Sequence, residues 1–344
     1  MTQIAAWNVE KPRKPWWLGG LFLVALIISL VLNACNSGQA SRLQPLKVGI
    51  TTWPGFDVVL YAKETGLFQK HGLNVELIRF ENQQDSSRAV LRGSLDAAFA
   101  SLWDVMQVDS GNDKPVFVMV TNISHGADGI VARSGIETIE DLRHKRVAAK
   151  LGTVNHLILL EALKLHNIKP NDVKIEDIPN ETAAELVEKG KLDAAVLWQP
   201  LLGETAKKSK GKVIYTTQEL DSLVIDGLVS RSQVVQSKKA ELTRFITTWF
   251  DVMKAVDTKP QEVFQQVGKA LNQNSASFAS DYSGLKKGDI AMQKQMFQTE
   301  GRLQTAMDQL IQLLQADPRH GHTPRKDVEI NPEPVTAAMN EWKA

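Results

Sequence analysis

From Leu46 onward, apolar residues gather in short runs of four to seven residues, separated by longer amphipathic stretches. Such runs are too brief for helices and, being rich in Val, Ile, Ala and Leu, read as buried strands, while the stretches between them read as helices. Strands are expected over 46–52, 75–80, 96–100 and 116–121, with helices over 58–70 and 86–91. A second series comes next, with strands at 129–133, 146–150, 173–178, 194–197 and 212–215 and helices at 154–166 and 181–189. Alternation with short loops predicts parallel-sheet α/β units. Thr138 with Asp141, Thr153 before Val154, Asn180 before Glu181 and Asp57 before Val58 stand where helix N-caps belong. Beyond Leu228 the pattern turns to long helices at 239–256, 260–271 and 301–314, expected to return and pack around the first unit.

One word occurs twice. Arg92-Gly93-Ser94-Leu95-Asp96-Ala97-Ala98 recurs 97 residues on as Lys189-Gly190-Lys191-Leu192-Asp193-Ala194-Ala195. Each copy follows a helix that ends at a glycine and leads through a buried strand to a tryptophan, Trp103 or Trp198. Two similar α/β units are therefore expected, with the chain crossing between them near 124–128 and again near 225–228.

The amino terminus has a separate character. Lys11, Arg13 and Lys14 precede an uncharged apolar run of 17 residues, Trp16 to Leu32, which ends in Leu32-Asn33-Ala34-Cys35. This is the layout of a secretory leader, short for a spanning helix of about 20 residues and closed by small residues. The Leu-x-Ala-Cys end resembles the lipobox of bacterial lipoproteins, which implies cleavage before Cys35 and lipidation of that residue; an uncleaved anchor helix is the alternative. The expected organisation is a leader over 1–34, a small polar tether over 35–44, a first lobe over 45–125, a second over 126–226, and a return with the C-terminal helices over 227–344.

Composition narrows the function. Forty basic against 39 acidic side chains leave no global field for nucleic acid. The single cysteine lies directly after the leader segment, so neither a disulfide framework nor a cysteine-rich zinc site is expected. No Gly-x-Ser-x-Gly, His-Glu-x-x-His or Walker motif is present, and His320 and His322 fall in a Gly/Pro-flanked stretch that reads as loop. No enzyme, cofactor or metal is expected.

The ordered motifs Val48-Gly49-Ile50, Trp53-Pro54-Gly55, Tyr61-Ala62-Lys63-Glu64-Thr65-Gly66-Leu67-Phe68, Leu151-Gly152-Thr153-Val154-Asn155-His156, Leu197-Trp198-Gln199-Pro200 and Ile225-Asp226-Gly227-Leu228, together with the repeated word, resemble a known family. It is that of the substrate-binding proteins of ABC importers for sulfonates, taurine, nitrate and thiamine-precursor pyrimidines. The resemblance runs from Leu46 to about Thr258. It implies a two-lobed, periplasmic-binding-protein-like (type II) α/β fold, a monomer outside the cytoplasm, a small molecule in the cleft, and a permease and ATPase as partners. An extracytoplasmic sensory module of the same fold and a pyrimidine-synthase-like enzyme are the alternatives.

In such units ligands lie beyond the carboxyl ends of strands. Trp53, Pro54 and Gly55 follow the first strand, and Trp103 and Trp198 follow the repeated one; the latter two serve either as cleft walls or as packing within their lobes. Thr153, Val154 and Asn155 open a helix, where they either cap it or hold an acidic group. Asp128 and Asp226 stand at the two crossings. Carboxylates beside aromatic faces favour a cation, so an amino-containing or zwitterionic solute is expected.

Overall fold

The computed structural model describes residues 45–108, 113–220, 223–297, 301–316 and 323–343. The leader, Cys35, the tether, His320 and His322 lie outside the described residues. In chain order the strands are β1 (Leu46–Ile50), β2 (Val75–Arg79), β3 (Ala97–Ser101), β4 (Pro115–Ser124), β5 (Asp128–Ala132), β6 (Arg146–Ala148), β7 (Lys174–Glu176), β8 (Ala194–Trp198), β9 (Lys212–Thr216), β10 (Ile225–Arg231), β11 (Leu285–Lys287) and β12 (Glu329–Ile330). They form a seven-stranded sheet in the order β11-β4-β10-β3-β1-β2, with β12 added beside β4, and a five-stranded sheet in the order β7-β6-β8-β5-β9.

Each sheet has the expected parallel trio, β2-β1-β3 in one and β7-β6-β8 in the other. The strands added beside each trio are antiparallel. β10 runs against β3 and β4, and β5 runs against β8 and β9. β10 and β5 are the strands that enter each sheet just after a crossing, so they arrive from the opposite end.

The repeated word has the same physical task in both lobes. Asp96 N–H donates to Lys47 O at 2.9 Å while Lys47 N–H donates back to Asp96 Oδ2 at 2.9 Å. In the second lobe Asp193 N–H donates to Arg146 O at 3.0 Å and Arg146 N–H to Asp193 Oδ2 at 2.9 Å. One aspartate thus brackets the start of the neighbouring strand twice over, setting register where the sheet begins. Gly93 and Gly190 end the preceding helices with positive φ, as the pattern predicts.

Three local expectations give way. The stretch 58–70 is occupied by short helices, Leu60–Glu64 and Leu67–Lys70, preceded by a turn of helix at Pro54–Asp57, and Gly66 is left-handed between the last two. Asp57 is not the cap of a helix beginning at Val58: it closes the Pro54–Asp57 helix, whose N-cap is Trp53, and its carboxylate reaches back to accept from Trp53 N–H at 3.1 Å. Likewise Asn180 is the first helical residue, with Pro179 as cap.

Of the C-terminal helices, Lys239–Thr258 packs on the first sheet, Phe245 and Trp249 lying 6.1 and 5.9 Å from the Phe99 ring. The Arg302–Ala316 helix reaches side chains of both lobes. Its Leu303, Ala306, Leu310 and Leu314 join the buried cluster that includes Trp103, Met106 and Val120 of the first lobe and Leu157, Leu160 and Leu220, and Gln309 and Gln312 face Glu161 and Lys164 across a cavity of about 460 Å³. This helix therefore helps to close a core that both lobes share, covering apolar side chains of the Val154–Leu165 helix among others.

Candidate functional site

The two crossings lie side by side. Ser124, the last residue of β4, donates its N–H to Val224 O at 3.0 Å, and its hydroxyl is 2.7 Å from the Thr217 hydroxyl, to which Gly126 N–H also donates at 2.7 Å. β5 begins at Asp128, in register with Trp198, and β10 carries Asp226 in register with Ser101 on one side and Asn122 on the other. The strand ends from both lobes thereby converge on one place.

Three carboxylates meet there. Asp128 and Asp226 are 2% and 3% exposed, and Asp104, which sequence reasoning did not single out, is 3% exposed. Asp104 sits in the Leu102–Val105 turn, where Ser101 caps its N–H at 3.0 Å and donates its own hydroxyl to Asp104 Oδ2 at 2.6 Å. The Ser101-Leu102-Trp103-Asp104 spacing is the capping-box signal that marks this residue in the sequence. Burial pushes Asp104 up to about 7, against the pull of Ser101 and of the Val154 backbone N–H. Burial also takes Asp128 to about 7, with the Asp104 charge adding and the Ser124 hydroxyl opposing. Asp226 is driven well above its ordinary value, first by burial and then by Asp128 and Asp104, while the Trp53 indole and the Asn122 amide oppose it. Among the described residues, no Lys or Arg acts on any of the three. Asp128 Oδ2 has no hydrogen-bond partner among them either.

The aromatic residues frame this cluster unequally. Trp53 is buried and donates its indole N–H to Asn122 Oδ1 at 3.2 Å. Pro54 opens the turn, and Gly55 is required by that packing: a Cβ would lie 2.2 Å from Asn122 Nδ2 and 2.7 Å from Trp53 Nε1. Trp103 is buried with an indole N–H that meets no partner among the described residues, its ring edge-on to His156 at 6.4 Å. Trp198 is half-buried against the cores of both lobes.

At the helix start of the second lobe, Thr153 is the N-cap, accepting from Asn155 N–H at 3.3 Å and donating to Lys150 O at 2.8 Å. Asn155 is turned into its own lobe, where its amide donates to Asn180 Oδ1 at 3.0 Å and Val196 O at 2.8 Å. Of the three residues, Val154 faces the carboxylates through its backbone N–H. The first lobe reaches across just before it: Gln84 and Gln107 donate to Gly152 O at 2.5 and 2.7 Å. Next to the cluster, Thr52, Pro54, Asp57 and Arg79 of the first lobe face Pro200 and Glu204 of the second across a cavity of about 520 Å³. Arg79 holds Thr52 at 3.0 Å and Asp57 at 2.9 Å, yet burial still raises Asp57 to about 6. Asn122, Gln84, Gln107 and Arg79 have no local sequence signature, since their partners lie between 22 and 69 positions away.

Residues 39–272 match the model of the NMT1-like family. The chain belongs to that family. A putative binding protein of Brucella abortus is 23% identical over 82% of this chain and 94% of its own length. The taurine-binding periplasmic protein of Escherichia coli is 23% identical over 80% and 88% respectively. Among solved structures, the periplasmic aliphatic sulphonate binding protein SsuA of Escherichia coli aligns with a TM-score of 0.68 and 16% identity, covering 83% of this chain and 96% of that one. The fold is thus of the periplasmic-binding-protein type, with two α/β lobes.

Proposed function

We propose that this chain is the solute-binding protein of an ABC importer, held by a lipid on Cys35 at the outer face of the cell membrane, and that its cargo carries an ammonium or amino-heterocyclic group. Its family, and relatives named as binding proteins, support the transport role. The observation that carries the cargo assignment is the trio Asp104, Asp128 and Asp226, buried at the crossing with no side-chain cation beside them among the described residues. Buried carboxylates that lack a counter-charge are costly, and a cationic solute supplies one. Trp53, Trp103 and Trp198 offer ring faces for the same charge. Pro54, Gly55, Thr153, Val154 and Asn155 belong to the site as its frame. In this reading 45–125 and 126–226 are the lobes, 227–344 the return, and the protein acts as a monomer without cofactor or chemistry.

The test is a thermal-shift and scattering screen of the full-length protein in detergent, with primary alkylamines and aminopyrimidines set against alkanesulfonates and nitrate. An amine that raises the melting temperature and compacts the protein is expected, because a solute touching both lobes favours the closed arrangement. Stabilisation by sulfonate or nitrate alone would overturn the cargo assignment, and turnover of the stabilising amine would replace transport by catalysis.

The anchor has its own test. Cys35→Ser should accumulate uncleaved precursor and lose labelling by a lipid precursor; unaltered processing and labelling would replace the lipid by a spanning leader.

A further inference from the structure

The geometry points to Asp104 as a specificity-determining residue that bars acidic solutes by occupying, from the first lobe, the helix start of the second. This rests on the proposed solute-binding role and extends it to what the protein refuses. The Val154–Leu165 helix is 12 residues long, and its first N–H groups are the natural seat for an anion between the lobes. Two of those groups are already used within the lobe, Asn155 N–H on Thr153 Oγ1 and His156 N–H on Thr153 O. The third, at Val154, lies where the Leu102–Val105 turn of the first lobe packs against this helix, and it stabilises the Asp104 carboxylate.

Asp104 does not stand there alone. Gly152 is left-handed, with φ +77°, and its carbonyl accepts from Gln84 and Gln107 of the first lobe. Three side chains of one lobe thus engage the stretch Gly152 to Val154 of the other. An incoming sulfonate or carboxylate meets the Asp104 side chain already at the seat. Like charges in a desolvated site repel strongly, which is how a binding site rejects the wrong partner. An amine meets no such barrier. The Asp128 Oδ2 and the Trp103 indole N–H, both buried and without a partner among the described residues, mark the same region as incompletely satisfied without a solute.

The experiment compares 1-butanesulfonate with 1-butylamine, matched in chain length, by calorimetry on the full-length protein. Asp104→Asn keeps the shape and removes the charge, and Asp104→Ser does so with a smaller side chain. Both should bind the sulfonate at least about tenfold more tightly than wild type, the gain expected when a like charge is removed from a desolvated site. Asp104→Glu should stay as closed to the sulfonate as wild type. A gain of binding cannot come from damage to the fold, so the serine variant decides if the asparagine variant unfolds. Equal sulfonate affinity in wild type and in whichever of the two charge-removing variants folds would overturn the role of Asp104. If wild type ignores the amine, the cargo assignment fails by itself, while the sulfonate comparison still stands.

Discussion

The ligand-free protein should melt at least about 5 °C higher at pH 5 than at pH 8, given the stability its buried carboxyl groups lose over that interval. Burial pushes Asp104 and Asp128 up to about 7 in the folded protein and raises Asp226 well above its ordinary value, whereas an unfolded aspartate titrates near 3.8. Folding therefore takes up protons between these limits. A carboxyl group raised in this way contributes stability that is fully present below its unfolded value and is lost as pH rises through its folded value. The window set by Asp104 and Asp128 is thus from about 4 to about 7, and Asp57, raised to about 6, adds within it. A tenfold change in proton affinity is worth about 1.4 kcal/mol, and the groups share protons, so the cluster contributes on the order of a few kcal/mol. For a chain of this size that corresponds to roughly 2–4 °C per kcal/mol. Asp193, which is lowered, acts below its ordinary value and leaves the comparison untouched. Calorimetric scans at the two pH values decide it. A melting point that is equal, or higher at pH 8, would mean that the carboxylates are hydrated or paired. Asp128→Asn should flatten the dependence.

The same cluster shows where a sequence stops speaking. The repeated Leu-Asp-Ala-Ala word is readable because its task is local to each lobe: one aspartate, one neighbouring strand, one left-handed glycine. Trp53, Asp128 and Asp226 are readable because a strand end or a crossing is a place, and a place follows from the order of elements. Asp104 is not, although Ser101 signals its turn, since its unusual character comes from the approach of the Val154 backbone and of two other carboxylates from distant segments. Asn155 fails in the opposite direction. Its position at a helix start suggests a donor for a solute, but the amide finds Asn180 and Val196 O within its own lobe, and side-chain direction is not written in spacing. The antiparallel course of β5 and β10 is a further case. Hydrophobic runs of a buried strand carry no sign of direction, which the crossings impose. The docking of the Arg302–Ala316 helix is hidden too, because an amphipathic stripe declares that it needs a partner without declaring which.

Asp226→Asn should weaken binding of an amine at least about thirtyfold while leaving the empty protein no less stable. Both halves follow from burial. In the empty site burial, with Asp128 and Asp104, raises Asp226 well above its ordinary value and so favours its uncharged form, which asparagine imitates in size and hydrogen bonding. The melting temperature of the variant should therefore match or exceed that of wild type at pH 8. A bound ammonium reverses the balance: its charge favours the carboxylate, the proton leaves, and the Trp53 indole and the Asn122 amide stabilise the anion that remains. Asparagine cannot make that change. Truncating one partner of a buried charge pair costs about 2–5 kcal/mol, and 2 kcal/mol is about thirtyfold in affinity. Calorimetry in two buffers of different ionisation heat separates the parts. Wild type should release a proton on binding the amine at pH 7, the variant should release fewer, and affinity in wild type should rise from pH 6 to pH 8. Equal affinities in the two proteins, with no buffer dependence in either, would take Asp226 out of the cation site.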